Sequence, residues 1–225
     1  MIIEVKNLTK KFRHIVALDN INLKIDEGLT LIVGSNGSGK STLIKIILGF
    51  LRPSSGEIKV FGYNPWKERE KIIDKIGFSL DPPRIPWWMS GKEFLYAIAE
   101  MRGGDIERVL GIEKFWERKI FTYSAGMVRR ISIAASLVGS PKLILLDEPF
   151  AGIDIKGKEE IRNLILDLKE RGYDMIVSSH IFAPLKGVYD AIYALDAGKL
   201  IDVKEYMKWE LTEAMEVQNG HHRRA

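Results

Sequence analysis

The sequence predicts an α/β protein with a mostly parallel core sheet, an antiparallel β subdomain at its N-terminus and an inserted helical arm. Three observations indicate this class. Short apolar runs such as Leu143–Leu146 are typical of strands buried on both faces of a parallel sheet. Apolar residues at helical spacing follow such runs, for example within 43–51 and 161–168. Residues 2–8 and 21–25 alternate apolar and polar side chains, as half-buried antiparallel strands do.

The elements combine into a single domain over residues 1–225. We expect its core to be formed by 1–82 and 136–215, with the arm inserted at 83–135 between them. Residues 216–225 are expected to be disordered, as chain ends often are.

The arm is expected to be mostly helical. The run Trp87-Trp88-Met89 opens it, and a helix is predicted from Glu93 to Arg102. Two glycines at 103 and 104 break this helix, which is predicted to resume from Asp105. An apolar helix from Ile131 to Val138 then returns the chain to the core.

Composition argues against several classes of protein, among them membrane-spanning and disulfide-bonded proteins. The chain has 46% hydrophobic and 28% charged residues, which is ordinary for a soluble globular protein. No apolar run approaches the roughly 18 residues of a membrane span, and the absence of cysteine excludes disulfides and cysteine metal sites. The net charge is +4, but no arginine-rich helix or aromatic platform accompanies it, so no nucleic-acid partner is expected.

A glycine-rich loop lies between a predicted strand at 29–33 and a predicted helix. It consists of Gly34, Ser35, Asn36, Gly37, Ser38, Gly39, Lys40 and Ser41, followed by Thr42. The spacing GxxxxGK[ST] between strand and helix is that of a nucleotide phosphate site, because the glycines let successive backbone N–H groups point into one concavity. Lys40 supplies a mobile charge for the β- and γ-phosphates, and the Ser41 hydroxyl is placed to ligate Mg²⁺.

Polar residues follow two further buried strands. Asp147 and Glu148 come after Leu143–Leu146, and His180 comes after the strand at 175–177. Ligands of open parallel sheets lie beyond the carboxyl ends of the strands. Asp147 is therefore predicted to hold Mg²⁺ through water, and Glu148 to align water against the γ-phosphate. For His180, a γ-phosphate contact and a satisfied core histidine are both open from the residues alone.

Five ordered motifs resemble the ATPase subunit of ABC transporters over about residues 2–205. They are the loop Gly34–Thr42, the signature Tyr123-Ser124-Ala125-Gly126-Met127, the stretch Leu143–Glu148, the D-loop Ala151-Gly152-Ile153-Asp154, and His180. The resemblance implies a P-loop ATPase that hydrolyses ATP with Mg²⁺. It further implies that Phe12 stacks on adenine, that His180 acts in catalysis beside Glu148 and Lys40, and that Asp154 belongs to the dimer-facing D-loop.

The resemblance also implies partners. Ser124 is expected to cap a helix whose N-terminus binds the ATP of an opposite subunit. Two subunits would then bury two ATP molecules head to tail, so this chain must pair with itself or with a homologue. Separate transmembrane permease subunits would carry out transport, which implies a cytoplasmic protein held peripherally at the inner face of the membrane.

Three residues depart from the family pattern. Ala125 and Met127 replace a signature glycine and glutamine, a change that leaves Ser124 and Gly126 in place. Asp81 stands where the family has the glutamine of the Q-loop. We expect its carboxylate to ligate Mg²⁺ together with Asp147 and Ser41. The alternative is that Asp81 points away and only links the core to the arm.

Two other functional classes are weighed against a transporter subunit. Soluble members of the family act on DNA or ribosomes, but these usually have long coiled-coil insertions or two ATPase halves, which this sequence lacks. A P-loop kinase or GTPase is opposed by the signature and His180, and no base-reading Asn-Lys-x-Asp motif is present.

The arm also suggests where a permease docks. Trp87 and Trp88 cannot both face the core of one helix, because adjacent helical residues lie about 100° apart. We therefore expect at least one of them to be partly exposed within 83–89, in a groove that receives a membrane subunit. The alternative is that both pack inside the arm, since large aromatic side chains are mostly buried.

Overall fold

The structure, a computed structural model, describes residues 1–106 and 111–208. Within these ranges the strands are β1 Ile3–Phe12, β2 Ile15–Ile25, β3 Leu29–Val33, β4 Ser55–Val60, β5 Ile76–Ser79, β6 Leu143–Asp147, β7 Asp174–Ser179, β8 Ala191–Asp196 and β9 Lys199–Ile201. The α-helices are α1 Lys40–Ile47, α2 Gly91–Arg102, α3 Ala125–Leu137 and α4 Ile155–Glu170. The tail at 216–225 lies outside the described residues, so its predicted disorder stays a prediction.

The core is a six-stranded sheet in the order β5-β6-β7-β3-β8-β9. Every pairing from β5 to β8 is parallel, and only the edge pair β8–β9 is antiparallel. The strands β3 and β6 are buried at all five positions. This explains their continuous apolar sequence, because helices or sheets cover both faces of a parallel sheet. The mostly parallel core is therefore confirmed.

A second sheet, in the order β2-β1-β4, is antiparallel throughout. Its apolar residues pack with α1 and with one face of the core sheet in a single hydrophobic cluster. The other face of the core sheet is covered by α3, α4 and part of α2. The predicted N-terminal antiparallel subdomain is confirmed, and its strands extend further than the predicted 2–8 and 21–25.

The arm differs in detail from the prediction. Helix α2 begins at Gly91 because Ser90 forms a capping box with Glu93, so Trp87 and Trp88 precede the helix. In the described part of 105–124, short 3₁₀ turns replace the helix predicted to resume at Asp105. Helix α3 runs to Leu137, past the predicted arm boundary at 135, and packs on β5. None of the helices in the described ranges is long and apolar enough to cross a membrane.

Candidate functional site

The glycine-rich loop connects the end of β3 to the start of α1. Gly39 has a φ of 109°, and a Cβ there would lie 2.6 Å from the carbonyl oxygen of Ala17. Glycine is therefore required by backbone conformation and by space. The Ser38 hydroxyl is buried and has no hydrogen-bond partner among the described residues. A buried, unpaired donor within a loop of this kind fits an acceptor such as a phosphate oxygen.

Lys40 is buried at the first position of α1, with 4% of its surface exposed. Its Nζ donates to the carbonyl oxygens of Gly34, at 2.6 Å, and Ser35, at 3.0 Å. The same atom lies 3.1 Å from Oε1 of Glu148, which is an ion-pair distance without an aligned hydrogen bond. The loop and the predicted base are thus brought together through one ammonium group.

The parallel ladder brings the ends of β6 and β7 side by side, with Asp147 opposite Ser178. The Ser178 hydroxyl donates to Oδ1 of Asp147 at 2.5 Å and accepts from the Glu148 backbone N–H at 3.0 Å. Sequence analysis did not single out Ser178. The available signal was the pair Ser178-Ser179 at the end of an apolar strand, next to the predicted catalytic edge.

Glu148 has a φ of 49°, in the left-handed region. For a residue other than glycine this conformation costs about 1–2 kcal/mol, and such strain concentrates at functional sites. Oε2 of Glu148 lies 2.7 Å from Nδ1 of His180 and accepts from the His180 backbone N–H at 3.1 Å. The structure therefore brings Lys40, Glu148 and His180 together.

The pKa values of the two adjacent carboxyl groups are shifted in opposite directions. Burial raises the pKa of Asp147, and the Ser178 and Ser41 hydroxyls only partly oppose it. Burial also opposes ionisation of Glu148, but the hydrogen bond with His180 and the charge of Lys40 outweigh it and lower the pKa of Glu148. Relative to free carboxyl groups, Glu148 is thus favoured in its ionised form and Asp147 in its neutral form.

The donor set around Asp147 fits a Mg²⁺ ion. Its Oδ2 is buried and has no hydrogen-bond partner within the described part of the chain, and the Ser41 hydroxyl is close enough to affect the pKa of Asp147. No group of three His, Asp or Glu side chains forms a metal cage in the part of the chain that the structure describes. Mg²⁺ keeps several waters and takes few protein ligands beside substrate phosphates, so one carboxylate and one hydroxyl suit it.

Asp81 lies two residues after β5, which pairs with β6. Its Oδ1 accepts from Nη2 of Arg129 at 2.6 Å. Sequence analysis missed Arg129, because nothing local to α3 marks it as the partner of a residue 48 positions earlier. The role of Asp81 as a metal ligand stays a prediction.

The signature forms the exposed N-terminus of α3. The Ser124 hydroxyl caps this helix by accepting from the Met127 backbone N–H at 3.3 Å, as predicted. The Tyr123 side chain joins the signature to two other segments of the arm. Its hydroxyl donates to the Phe115 carbonyl at 3.1 Å and accepts from the Gly91 N–H at 3.2 Å. Ala125 is exposed, so the methyl group that replaces the usual glycine fits without a clash.

The signature lies beside the D-loop. A Cβ added to Gly126 would meet only Ile153, at 3.9 Å. Asp154 caps α4, because its Oδ1 accepts from the Gly157 backbone N–H at 2.8 Å. The following residue, Ile155, has 87% of its surface exposed. Signature and D-loop thus form one face that presents a helix N-terminus and an apolar side chain outward.

Phe12 lies at the end of β1, in the hairpin that leads into β2. Its side chain is 41% exposed, and the Lys10 ammonium lies 4.7 Å from the ring centroid. An exposed aromatic face is available for stacking, and adenine stacking by Phe12 stays a prediction.

Together, the loop after β3, the carboxyl groups after β6 and the histidine after β7 define a P-loop nucleoside triphosphatase. The family model described as ABC transporter matches residues 18–151, which is more than half of the chain. The chain therefore belongs to the ABC transporter family, as an ATP-binding subunit.

Relatives and solved structures agree with this assignment. The lantibiotic transport ATP-binding protein SrtF of Streptococcus pyogenes is 33% identical, over 91% of each chain. The bacitracin transport ATP-binding protein BcrA of Bacillus licheniformis is 31% identical, over 89% of this chain and 69% of its own. The dimeric, post-hydrolysis structure of the ATP-binding cassette MJ0796 with ADP and Pi superposes with a TM-score of 0.79 at 28% identity, covering 89% of this chain and 97% of that one.

Proposed function

We propose that this chain hydrolyses ATP with Glu148 as general base, in a dimer that drives separate membrane subunits. The observation that carries the proposal is the position of Glu148, whose two oxygens face Lys40 and His180 at the edge where β6 and β7 end. This carboxylate is ionised near neutrality, as a general base must be, and the loss of its Lys40 contact to phosphate would remove one cause of its lowered pKa.

The other residues of the site bind the ATP phosphates and orient the Glu148 carboxylate. The loop N–H groups and the N-terminus of α1 hold the β- and γ-phosphates of ATP. Lys40 exchanges its carbonyl and Glu148 contacts for phosphate oxygens, which frees Glu148 to orient water. His180 keeps the Glu148 carboxylate in place and reaches the γ-phosphate side with its remaining ring nitrogen, Nε2.

We further propose that Mg²⁺ is held by the Ser41 hydroxyl and by Asp147 through water. When bound, the ion neutralises charge that develops on the phosphate oxygens. The unpaired Oδ2 of Asp147 and its raised pKa support this, because a cation relieves the cost of burying that charge. Asp81 is the third predicted ligand, and its Oδ1 already accepts a hydrogen bond from Arg129.

The active form is proposed to be a head-to-tail dimer with itself or with a homologue. Each subunit contributes the loop at 34–42 to one ATP and the signature at 123–127 to the other. The outward face formed by Ser124, Gly126 and Ile155 supports this arrangement, and a dimeric state of the similar MJ0796 cassette agrees with it.

Permease subunits complete the transporter and hold the chain at the inner face of the membrane. Two of the relatives are named for bacitracin and lantibiotic transport. Bacitracin and lantibiotics are therefore the first substrates to test for this chain.

The purified chain tests the proposal through phosphate release from ATP, with Mg²⁺ varied from zero to saturation. Hydrolysis should require Mg²⁺ and should rise more than linearly with protein concentration, because two chains build each site. Turnover that is linear in protein, independent of Mg²⁺ or specific for GTP would contradict it.

A further inference from the structure

Arg129 is a buried cation on the core-facing side of α3. Only 3% of its surface is exposed. Its Nη2 donates to Oδ1 of Asp81 at 2.6 Å, and its Nη1 donates a long 3.5 Å hydrogen bond to the main-chain oxygen of Asp147. One guanidinium therefore contacts the segment after β5 and the last residue of β6.

These contacts join the arm to the catalytic edge. Arg129 lies five residues beyond Ser124, which caps α3 and is the first signature residue with a proposed phosphate contact. Asp147 directly precedes the proposed base, Glu148. The guanidinium thus links the half-site for the partner's ATP to the half-site for the chain's own ATP.

The link between the arm and the catalytic edge is an ion pair. A buried guanidinium needs an anion and hydrogen-bond acceptors, and removing its acid leaves an uncompensated charge in the interior. Arginine suits the position, because its planar fork can reach a carboxylate and a carbonyl together.

We propose that Asp81 and Arg129 form a charged latch that positions the signature helix against the end of β6, and that both residues serve turnover as positioning residues. The latch gives this chain a reason to have aspartate where the family pattern has glutamine, since an ionised carboxylate neutralises Arg129 and an amide would not. The proposal deepens the function proposed above and rests on it for its effect on turnover.

A thermodynamic cycle tests the latch directly. Asp81→Asn, Arg129→Met and the double variant are made in the full chain, and thermal unfolding is measured without nucleotide. Each single variant should have a lower Tm than wild type. The decrease in Tm of the double variant should be at least about 3 °C smaller than the sum of the two single decreases. Strict additivity would overturn the latch, even if the wild-type chain hydrolysed no ATP.

Kinetics then separate positioning from metal ligation. Asp81→Asn should lower kcat about tenfold. The KM for ATP and the Mg²⁺ concentration that gives half-maximal rate should stay within about twofold of wild type, since Lys40, Ser41 and Asp147 remain. On a Glu148→Gln background, both single variants should weaken the ATP-dependent dimer. A raised Mg²⁺ requirement with an unchanged Tm would overturn the proposal and make Asp81 a metal ligand.

The neighbouring arginine provides a matched control. Arg130, also on α3, lies 3.1 Å from Glu160 on α4, and the Glu160 side chain is exposed to 37% against 36% for that of Asp81. Glu160→Gln removes the α4 carboxylate charge that pairs with the α3 residue next to Arg129. It should leave Tm and kcat near wild type, and losses equal to those of Asp81→Asn would overturn the latch as a specific device.

Discussion

Nδ1 of His180 lies 2.7 Å from Oε2 of Glu148, and the His180 backbone N–H donates to the same oxygen at 3.1 Å. The two residues are 32 positions apart in sequence and meet because β6 and β7 are neighbours that run in the same direction. With Lys40 on its other oxygen, the Glu148 carboxylate is fixed between two strands and the loop. The His180 contact orients the Glu148 carboxylate before ATP binds, which limits the reorganisation needed when, as proposed, Lys40 exchanges Glu148 for phosphate.

Replacement of the proposed base should separate binding from turnover. Glu148→Gln keeps the size of the side chain and can still contact His180, but it removes the charge that accepts a proton. We expect ATP affinity to persist and hydrolysis to fall at least about 100-fold, leaving a stable ATP-bound dimer on size exclusion. Hydrolysis at a near wild-type rate would show that another residue is the base.

Loss of the phosphate anchor should abolish binding and dimer formation together. Lys40→Ala removes the cation buried beside Gly34, Ser35 and Glu148. The γ-phosphate then lacks its counter-charge, so ATP should stabilise neither the monomer nor the dimer. Isothermal titration with ATP measures the first effect and size exclusion the second. ATP-dependent dimer formation at wild-type levels would contradict the role of Lys40.

The lowered pKa of Glu148 predicts an acid-sensitive contribution to stability. The ionised form is favoured in the folded state, so it stabilises the fold at pH values above 4.5, the ordinary value for this group. This contribution is lost as pH falls through the lowered pKa. The Tm difference between wild type and Glu148→Gln should therefore be largest near neutrality and shrink below pH 4.5. A difference that does not vary with pH would contradict the shift.

Ionisation of Asp147 should have the opposite effect on stability. Burial raises its pKa above the ordinary 3.8, so its ionisation destabilises the fold at neutral pH in the absence of Mg²⁺. Asp147→Asn should therefore unfold at a higher temperature than wild type at pH 7 and lose that advantage as pH falls through the raised pKa. Added Mg²⁺ should raise the Tm of wild type only. Equal Mg²⁺ stabilisation of both proteins would place the metal elsewhere.

Local sequence was enough to predict most of the fold. The loop at 34–42 and the strand at 143–146 depend on residues adjacent in sequence, so they could be located without a structure. Helix α2 was predicted from Glu93 to Arg102 and begins two residues earlier, at Gly91, because Ser90 and Glu93 form a capping box.

Long-range partners could not be predicted in the same way. The contact between Asp81 and Arg129 depends on how α3 packs on β5, which no local pattern encodes. The conformation of Glu148 likewise follows from the Ser178 and His180 contacts across the sheet. Sequence therefore identified the chemical groups of the site and missed the residues that hold them in place.

Phe12 provides a test of adenine stacking. Its ring is 41% exposed at the end of β1, so truncation should cost little stability. Phe12→Ala should weaken ATP binding by about 1–3 kcal/mol, roughly 5- to 150-fold in Kd, by analogy with base stacking on aromatic side chains. Phe121→Ala is the control, because that ring is 67% exposed on the arm. Equal ATP affinity in Phe12→Ala and wild type would remove the stacking role.

The tryptophan pair of the arm is exposed, which confirms the expectation that at least one ring would be. Trp87 is 64% and Trp88 60% exposed, and the two rings meet edge to face with centroids 5.7 Å apart. Backbone hydrogen bonds from Ile120 and Phe121 to this segment hold it against the arm. The pair thus offers a supported apolar surface beside the core–arm groove lined by Arg84 and Ile85.

We predict that this pair anchors the membrane partner. Trp87→Ala or Trp88→Ala should reduce co-purification with membranes at least about tenfold, since buried tryptophan anchors dominate many interfaces. Basal ATPase activity and Tm should stay unchanged, because neither ring supports the core. The matched control is Trp66→Ala, whose ring is 46% exposed outside the arm and should not affect membrane association. Loss of ATPase and Tm in both arm variants would mean that the pair stabilises the fold, and equal membrane loss in Trp66→Ala would rule out a specific docking surface.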